Sequence, residues 1–184
     1  YISGLDHCIV VSMGTGTSLS SVNGDQICYI GGSGVGGGTM VGLCSQLIGS
    51  SSFSHISELA IQGDVSHIDL TVGDITRDQL ANMNNRTTAA NFGKITDDAC
   101  DADLAMGVVN MVFQTVGIIA MMAAKGHGTD QIVLTGSLTP LDQAGPNFRS
   151  FEQLYGLHCI IPENATCATA IGAALCSLRA RGLE

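Results

Sequence analysis

The chain has 184 residues, with 16 Asp plus Glu against 7 Lys plus Arg and a formal charge of −9. That balance excludes a nucleic-acid or acidic-membrane surface, since both need clustered cations. Hydrophobic residues at 45 % and charged residues at 12 % exclude a disordered acidic tail. The 24 glycines against 3 prolines point to backbone that turns tightly or approaches a ligand, and not to linker. No apolar run reaches the ~18 residues of a membrane span, and no signal-peptide pattern opens the chain at Tyr1. Seven cysteines without a CxxC pair read as reduced thiols, which implies a cytoplasmic protein. The sequence starts almost directly on a strand, so a further segment is expected upstream.

Residues 8–12 (CIVVS) predict a strand, followed by a turn-like GTGTS at 14–18. A second strand over 19–22 leads into Asn23-Gly24, the strongest short hairpin signal, and 26–30 makes the return strand. This N-terminal stretch reads as a β-hairpin ending in a glycine cluster at 31–38. An apolar helix follows over 39–48, stopped by Gly49. A short helix runs from Ser54 through Ala60 and ends near Gly63-Asp64. Residues 71–89 are polar and mixed, predicting loop with short helical pieces. The longest helical signal, 101–125, is entered through Asp97, Asp98 and Asp101 and left through Lys125-Gly126, as the helix dipole favours. A buried strand over 131–134 leads to Thr135-Gly136-Ser137. A helix at 151–155, a strand at 159–161 and a last helix at 168–181 complete the chain. The class is α/β, a mixed sheet with an N-terminal β-hairpin and flanking helices.

Gly32 to Gly37 satisfies GxGxxG, but the dinucleotide fold needs a second parallel strand ending in an acid about 20 residues on. Residues 50–53 (SSSF) are a polar turn instead, and no Lys follows the last glycine as a Walker A loop requires. Two loops remain that could present backbone N–H groups to phosphate oxygens. One is GTGTS at a bend, the other GGSGVGGGT (31–39) at a helix N-terminus, where the dipole favours an anion. Thr15, Thr17, Ser18, Ser33 and Thr39 add hydroxyls without charge. Backbone dipoles and Mg²⁺ would then stand in for Lys and Arg, which is how an acidic protein can bind a nucleotide. For either loop alone, a purely structural role in turning and close packing stays open.

The five histidines show no HxxxH or HExxH spacing and give no zinc site. Asp64, Asp69 and Asp74 match no EF-hand and read as a solvated loop, and Glu58 reads as helix surface. Ser12 and Ser18 lack the GxSxG elbow of a hydrolase. The methionines of the long helix read as core or as a dimer seam.

Five segments then come in register: VSMGTGTSLS (11–20), YIGGSGVGGGTMVGL (29–43), TAANFGK (88–94), IVLTGSL (132–138) and AIGAAL (170–175). Together they resemble, over nearly the whole chain, the C-terminal lobe of type II (eukaryotic-like) pantothenate kinases of the actin and sugar-kinase superfamily. The resemblance implies an RNase H-like, actin-like ATPase lobe, with two lobes closing on Mg·ATP. The γ-phosphate goes to the terminal hydroxyl of pantothenate, the first step toward coenzyme A. ATP contacts are implied at Gly14, Thr15, Gly16 and Thr17, and at the helix start Gly36, Gly37, Gly38, Thr39, Met40 and Val41. Further contacts are implied at Phe53 and at Gly136, Ser137 and Leu138. Tyr29 falls where family members commonly carry an arginine that touches pantothenate and helps gate acyl-CoA inhibition. It is assigned to substrate binding, although it brings no cation. The resemblance also implies a homodimer with the long helix at its interface, giving the 106–122 face a partner, and CoA or acyl-CoA as regulator. The family's catalytic glutamate and Mg²⁺-directing aspartate lie in the N-terminal lobe. Residues 1–184 therefore read as one C-terminal nucleotide-binding and dimerisation lobe with no catalytic or metal-ligating residue of its own. A non-catalytic nucleotide-binding or dimerising module of a divergent relative is the alternative from another class.

Overall fold

The computed structural model of the chain describes residues 4–76 and 84–182. In chain order the elements are β1 (His7–Met13), β2 (Thr17–Asn23), β3 (Gln26–Ser33), α1 (Gly37–Leu47), α2 (Phe53–Gln62), β4 (Leu70–Thr71) and α3 (Val72–Ile75). After them come β5 (Thr88–Ala90), α4 (Asp101–Gly126), β6 (Gln131–Thr135), α5 (Ala144–Tyr155), β7 (His158–Ile160) and α6 (Ala168–Ala180). Short 3₁₀ turns sit at Val65–His67 and Ala165–Cys167.

The expected hairpin is a three-stranded antiparallel meander. Met13 pairs with Thr17 across the Gly14–Gly16 turn, and Asn23 pairs with Gln26 across a second turn with Gly24 at φ +58. β3 runs on to Ser33, past the expected end at residue 30, because Gly32 lies flat against the Thr17 carbonyl where no Cβ would fit. Leu19 pairs with Gly31 and Ser20 with Tyr29, so Ile30 is the extra residue of a β-bulge. β6 joins β1 in parallel and β7 joins β6 in parallel, giving a five-stranded mixed sheet in the order β3-β2-β1-β6-β7.

Alternation sorts the strands onto two faces. Ile9, Val11 and Met13 of β1 and Ile132 and Leu134 of β6 are buried against Val109, Val112, Phe113 and Val116 of α4. At ~1.5–3 kcal/mol per fully buried aliphatic or Phe side chain, this seam dominates stability. α1 adds Met40 and Cys44, α2 adds Ile56 and Ala60, and α5 adds Phe148, whose ring meets Phe113 edge-on at 5.7 Å. Most of the 106–122 stretch therefore belongs to the core of this chain itself. Among the residues that α4 leaves half or fully exposed, Leu104, Met111, Thr115 and Met122 form one narrow stripe at helical period. Val10, Ser20 and Tyr29 share the opposite sheet face, where Tyr29 is 68 % exposed.

The helix expected at 151–155 begins at Ala144. Pro146 sits in its first turn, where a missing N–H costs nothing. The polar stretch after Gly63 is more ordered than a loop. β4 and β5 pair antiparallel, while residues 77–83 of the expected loop lie outside the described residues. The solvated reading of Asp69 is corrected, since its side chain is 0 % exposed. It accepts hydrogen bonds from Thr88 Oγ1 (2.9 Å), Asn91 Nδ2 (3.2 Å), the Phe92 N–H (2.9 Å) and Asn110 Nδ2 (2.8 Å). These bonds hold Phe92 in the left-handed region at φ +55. Asp64 caps the 3₁₀ turn that follows it, whereas Asp74, the third residue of α3, accepts from the Thr71 N–H and hydroxyl just before that helix and pairs with Lys94 at 2.8 Å.

A second buried carboxylate, Asp103, fixes the start of α4. It accepts from the N–H groups of Asp64 (2.7 Å) and Cys100 (3.1 Å) and from His67 Nδ1 (3.1 Å). Burial opposes its ionisation, but these donors outweigh burial and hold the carboxyl well below the usual range. The hydrogen bond to Asp103 raises the pKa of His67 in turn, aided by the charges of Asp103, Asp98 and Asp64 against a smaller desolvation effect. A raised folded-state pKa gives stability that is complete below the unfolded pKa of about 6.5 and is lost as pH rises through the folded value. The wild-type advantage over His67→Ala in urea midpoint is therefore expected to be larger at about pH 5.5 than at about pH 8.5. Equal advantages at both would show that the ring carries no charge in this clasp.

Candidate phosphate-binding site

Ligands of open sheets with parallel strands gather at the carboxyl ends of those strands. Here β1 ends in Gly14–Gly16 and its parallel neighbour β6 ends in Gly136–Leu138, and the two turns meet the start of α1. The meeting is backbone on backbone. The Gly37 N–H donates to the Gly14 carbonyl at 2.8 Å, the Gly38 N–H to the Thr15 carbonyl at 2.9 Å, and the Leu138 N–H to the Met13 carbonyl at 3.2 Å. A Cβ on Gly36 would lie 2.7 Å from Gly16 backbone atoms, and one on Gly38 would lie 2.9 Å from Thr15 Cγ2. Gly136, at φ +99, turns against the Met13 backbone in a conformation open to glycine.

These bonds decide which amides remain for a ligand. Gly14 donates to the Gly16 carbonyl at 2.9 Å, so the N–H groups of Gly14, Gly37 and Gly38 are all used inside the protein. Among the described residues, Thr15, Gly16 and Gly34 have N–H groups with no hydrogen-bond partner. They belong to the two facing turns, and the α1 dipole points at the space beside them. Facing backbone N–H groups of this kind are the donor type from which cation-free anion cradles are built.

The hydroxyls divide in the same way. Thr15 is exposed at the tip of its turn, whereas Thr17 is buried and its Oγ1 donates to the Val35 carbonyl at 2.9 Å. Thr39 Oγ1 accepts from the Gly36 N–H (3.3 Å) and donates to the Gly34 carbonyl (2.9 Å), tying the glycine segment into the first turn of α1. Met40 is core, Val41 and Phe53 are half-buried and pack on that core, and Leu138 is buried against Gly37. Ser137 is exposed beside Gly136. Gly14 to Thr17, Gly36 to Thr39 and Gly136 to Leu138 are thus brought to one end of the sheet. Tyr29 stands apart on the open sheet face, across from Ser20. Asp69 is the residue that sequence reasoning missed, and the TAANFGK segment that supplies three of its four donors was the available signal.

Comparison with known proteins follows this geometry. Residues 7–144 match the model of the Fumble family. The chain is 34 % identical over 172 residues to the type II pantothenate kinase of Oceanobacillus iheyensis, covering 92 % of this chain and 64 % of that protein. It is 35 % identical over 136 residues to the type II pantothenate kinase of Bacillus cereus, covering 72 % of this chain and 49 % of that one. The chain therefore spans between about half and two-thirds of the length of these relatives. It belongs to the Fumble family.

Proposed function

We propose that the chain is the ATP-binding lobe of a type II pantothenate kinase, which transfers the γ-phosphoryl group of ATP to the terminal hydroxyl of pantothenate. The observation that carries this reading is the pair of glycine turns with the free N–H groups of Thr15, Gly16 and Gly34, locked together at the carboxyl ends of β1 and β6. A meander followed by two parallel strands, with α4 laid across the sheet, supports an RNase H-like lobe of the actin-like ATPases.

Phosphoryl transfer asks a protein mainly to position the reactants and to stabilise charge on the moving group. The free amides and the Thr15 hydroxyl suit the β- and γ-phosphate oxygens, and the rigid glycine contacts fix those donors before the nucleotide arrives. Phe53 and residues Gly136 to Leu138 would frame the adenosine. Mg²⁺ would supply charge neutralisation on the phosphates. Among the described residues no group of three His, Cys, Asp or Glu side chains could hold it, so no step is assigned to the ion here. The general base that takes the acceptor proton belongs to the part of the relatives that this chain does not span. The exposed stripe Leu104, Met111, Thr115 and Met122 suits a homodimer seam, and the open sheet face with Tyr29 is where pantothenate, and CoA or acyl-CoA as regulator, would lie. A cytoplasmic site of action accords with the free thiols of all seven cysteines.

Gly36→Ala is expected to weaken ATP binding to the chain at least tenfold in calorimetry, because its Cβ pushes the Gly14–Gly16 turn off α1. Gly42→Ala, on the same helix with nothing within 4 Å of its Cβ, is the control. It should bind ATP as before and gain roughly 0.5–1 kcal/mol of stability. Equal ATP affinity in Gly36→Ala would remove the phosphate site from these turns.

A coupled assay on a full-length protein containing this lobe is expected to show pantothenate-dependent ADP release, and the 184-residue chain alone none. ATP binding without pantothenate-dependent ADP would leave a kinase for another alcohol or a nucleotide sensor.

A further inference from the structure

Backbone groups in the glycine segment before α1 are held almost completely. The Gly34 carbonyl accepts from Thr39 Oγ1 at 2.9 Å, the Val35 carbonyl from Thr17 Oγ1 at 2.9 Å, and the Gly36 carbonyl from the Met40 N–H at 3.0 Å. The Val35 N–H donates to Ser33 Oγ at 3.0 Å, and the Gly36 N–H to Thr39 Oγ1 at 3.3 Å. Across Gly34, Val35 and Gly36, only the Gly34 N–H is left without a partner.

The three hydroxyls that tie this segment differ in reach. Ser33 and Thr39 act from within the segment or from the helix turn that follows it. Thr17 acts from the start of β2, 18 residues away, directly after the Thr15–Gly16 turn. Its bond therefore joins the two turns that carry the free donors. Thr17 is 5 % exposed and its hydroxyl is committed to Val35, so water competes little for that bond and the side chain does not reach a ligand itself.

Gly34 carries an independent observation. Its backbone lies outside the left-handed region, and a Cβ on it would meet nothing within 4 Å. By contrast, a Cβ on Gly16 or Gly36 would press on backbone atoms, and one on Gly38 on Thr15. Neither conformation nor packing within the chain calls for a glycine at 34. A Cβ on Gly16 would stand 3.6 Å from Gly34 Cα, so the clear space at Gly34 lies beside the turn that bears the other free N–H groups. Open backbone of this kind suits a ligand that comes right up to the chain.

We propose, on the nucleotide-lobe reading, that Gly34 is a phosphate contact and that Thr17 is the positioning residue that holds it there. Thr17 anchors the Val35–Gly36 peptide to β2, while Ser33 and Thr39 anchor the Gly34–Val35 peptide. The Gly34 N–H then keeps its place opposite Thr15 and Gly16 before any ligand arrives. Thr17 thus serves the site from behind and is not itself a contact.

The test is calorimetric titration of the 184-residue chain with ATP and with AMP, which lacks the β- and γ-phosphates. Thr17→Val keeps the side-chain shape and removes the donor. It is expected to weaken ATP about tenfold or more while AMP affinity stays within about twofold. Thr17→Ser, which retains the hydroxyl, should restore ATP binding. Gly34→Ala meets no protein atom, so it should melt like the wild type yet weaken ATP about tenfold or more. That variant keeps the site testable if Thr17→Val does not fold. Amide exchange followed by NMR should show ATP slowing the Gly34 N–H in the wild type. A wild-type chain that binds no ATP would overturn the nucleotide-lobe reading and this assignment with it. ATP binding that survives in Thr17→Val or in Gly34→Ala would overturn the assignment alone. Equal losses for ATP and AMP, or a Gly34 N–H whose exchange is indifferent to bound ATP, would overturn it in the same way.

Discussion

The close approach of Gly36 to Gly16 is the constraint on which the candidate phosphate site depends. With a Cβ at Gly36 only 2.7 Å from Gly16 backbone atoms, α1 could not seat against the β1–β2 turn, and the bonds from Gly37 and Gly38 could not form. Those bonds cost the helix start two of its unsatisfied donors, which are the groups usually credited with holding phosphate at a helix N-terminus. The donors left over come from the turns that α1 braces. The helix contributes its dipole and its rigidity, and the turns contribute the N–H groups. That division of labour leaves unpartnered N–H groups at the turns of a strongly acidic chain, with no lysine or arginine among residues 14–16 and 31–39.

α4 organises the rest by presenting different chemistry around its circumference. Val109, Val112, Phe113 and Val116 face the sheet, while Asn110 and Gln114 face the layer built on Asp69. Leu104, Met111, Thr115 and Met122 lie on a third side, half or fully exposed. The helix is long and apolar enough in composition to cross a membrane, yet it lies mostly buried in the core of the fold. Its small residues are part of the same design. Gly107 admits Ile68 and Phe92, and Gly117 admits the Phe151 ring, so the Asp69 layer and α5 can both press against one helix.

Much of this was legible in the sequence because it is local. The run at 8–12, Asn23-Gly24, the acid-to-base helix at 101–125 and the strand at 131–134 each carry their signal within a few residues. What escaped has its cause at a distance. The extension of β3 through Gly31 and Gly32 is dictated by the neighbouring Thr17 carbonyl, and glycine carries no strand propensity to announce it. α5 begins early because Ala144 and Phe148 find the core, which no pattern near Pro146 reveals. Asp69 looked like one more acid in a polar stretch because its donors sit at residues 88, 91, 92 and 110.

Asp69 also shows why charge counting alone misreads this protein. A net charge of −9 suggests a uniformly anionic body that repels anions. Yet Asp69 and Asp103 are buried and hold their surroundings through neutral donors and a histidine, Asp74 is matched by Lys94, and residues 14–16 and 31–39 contain no carboxylate. Field strength at a site depends on the groups within a Debye length of ~10 Å and on the dielectric between them, and far less on the total. Two acids spent inside, as acceptors for backbone and amide donors, leave the local field at the ends of β1 and β6 to the backbone N–H groups of the turns. A place of opposite character to the whole can then exist on one acidic chain, built from backbone dipoles at the facing glycine turns.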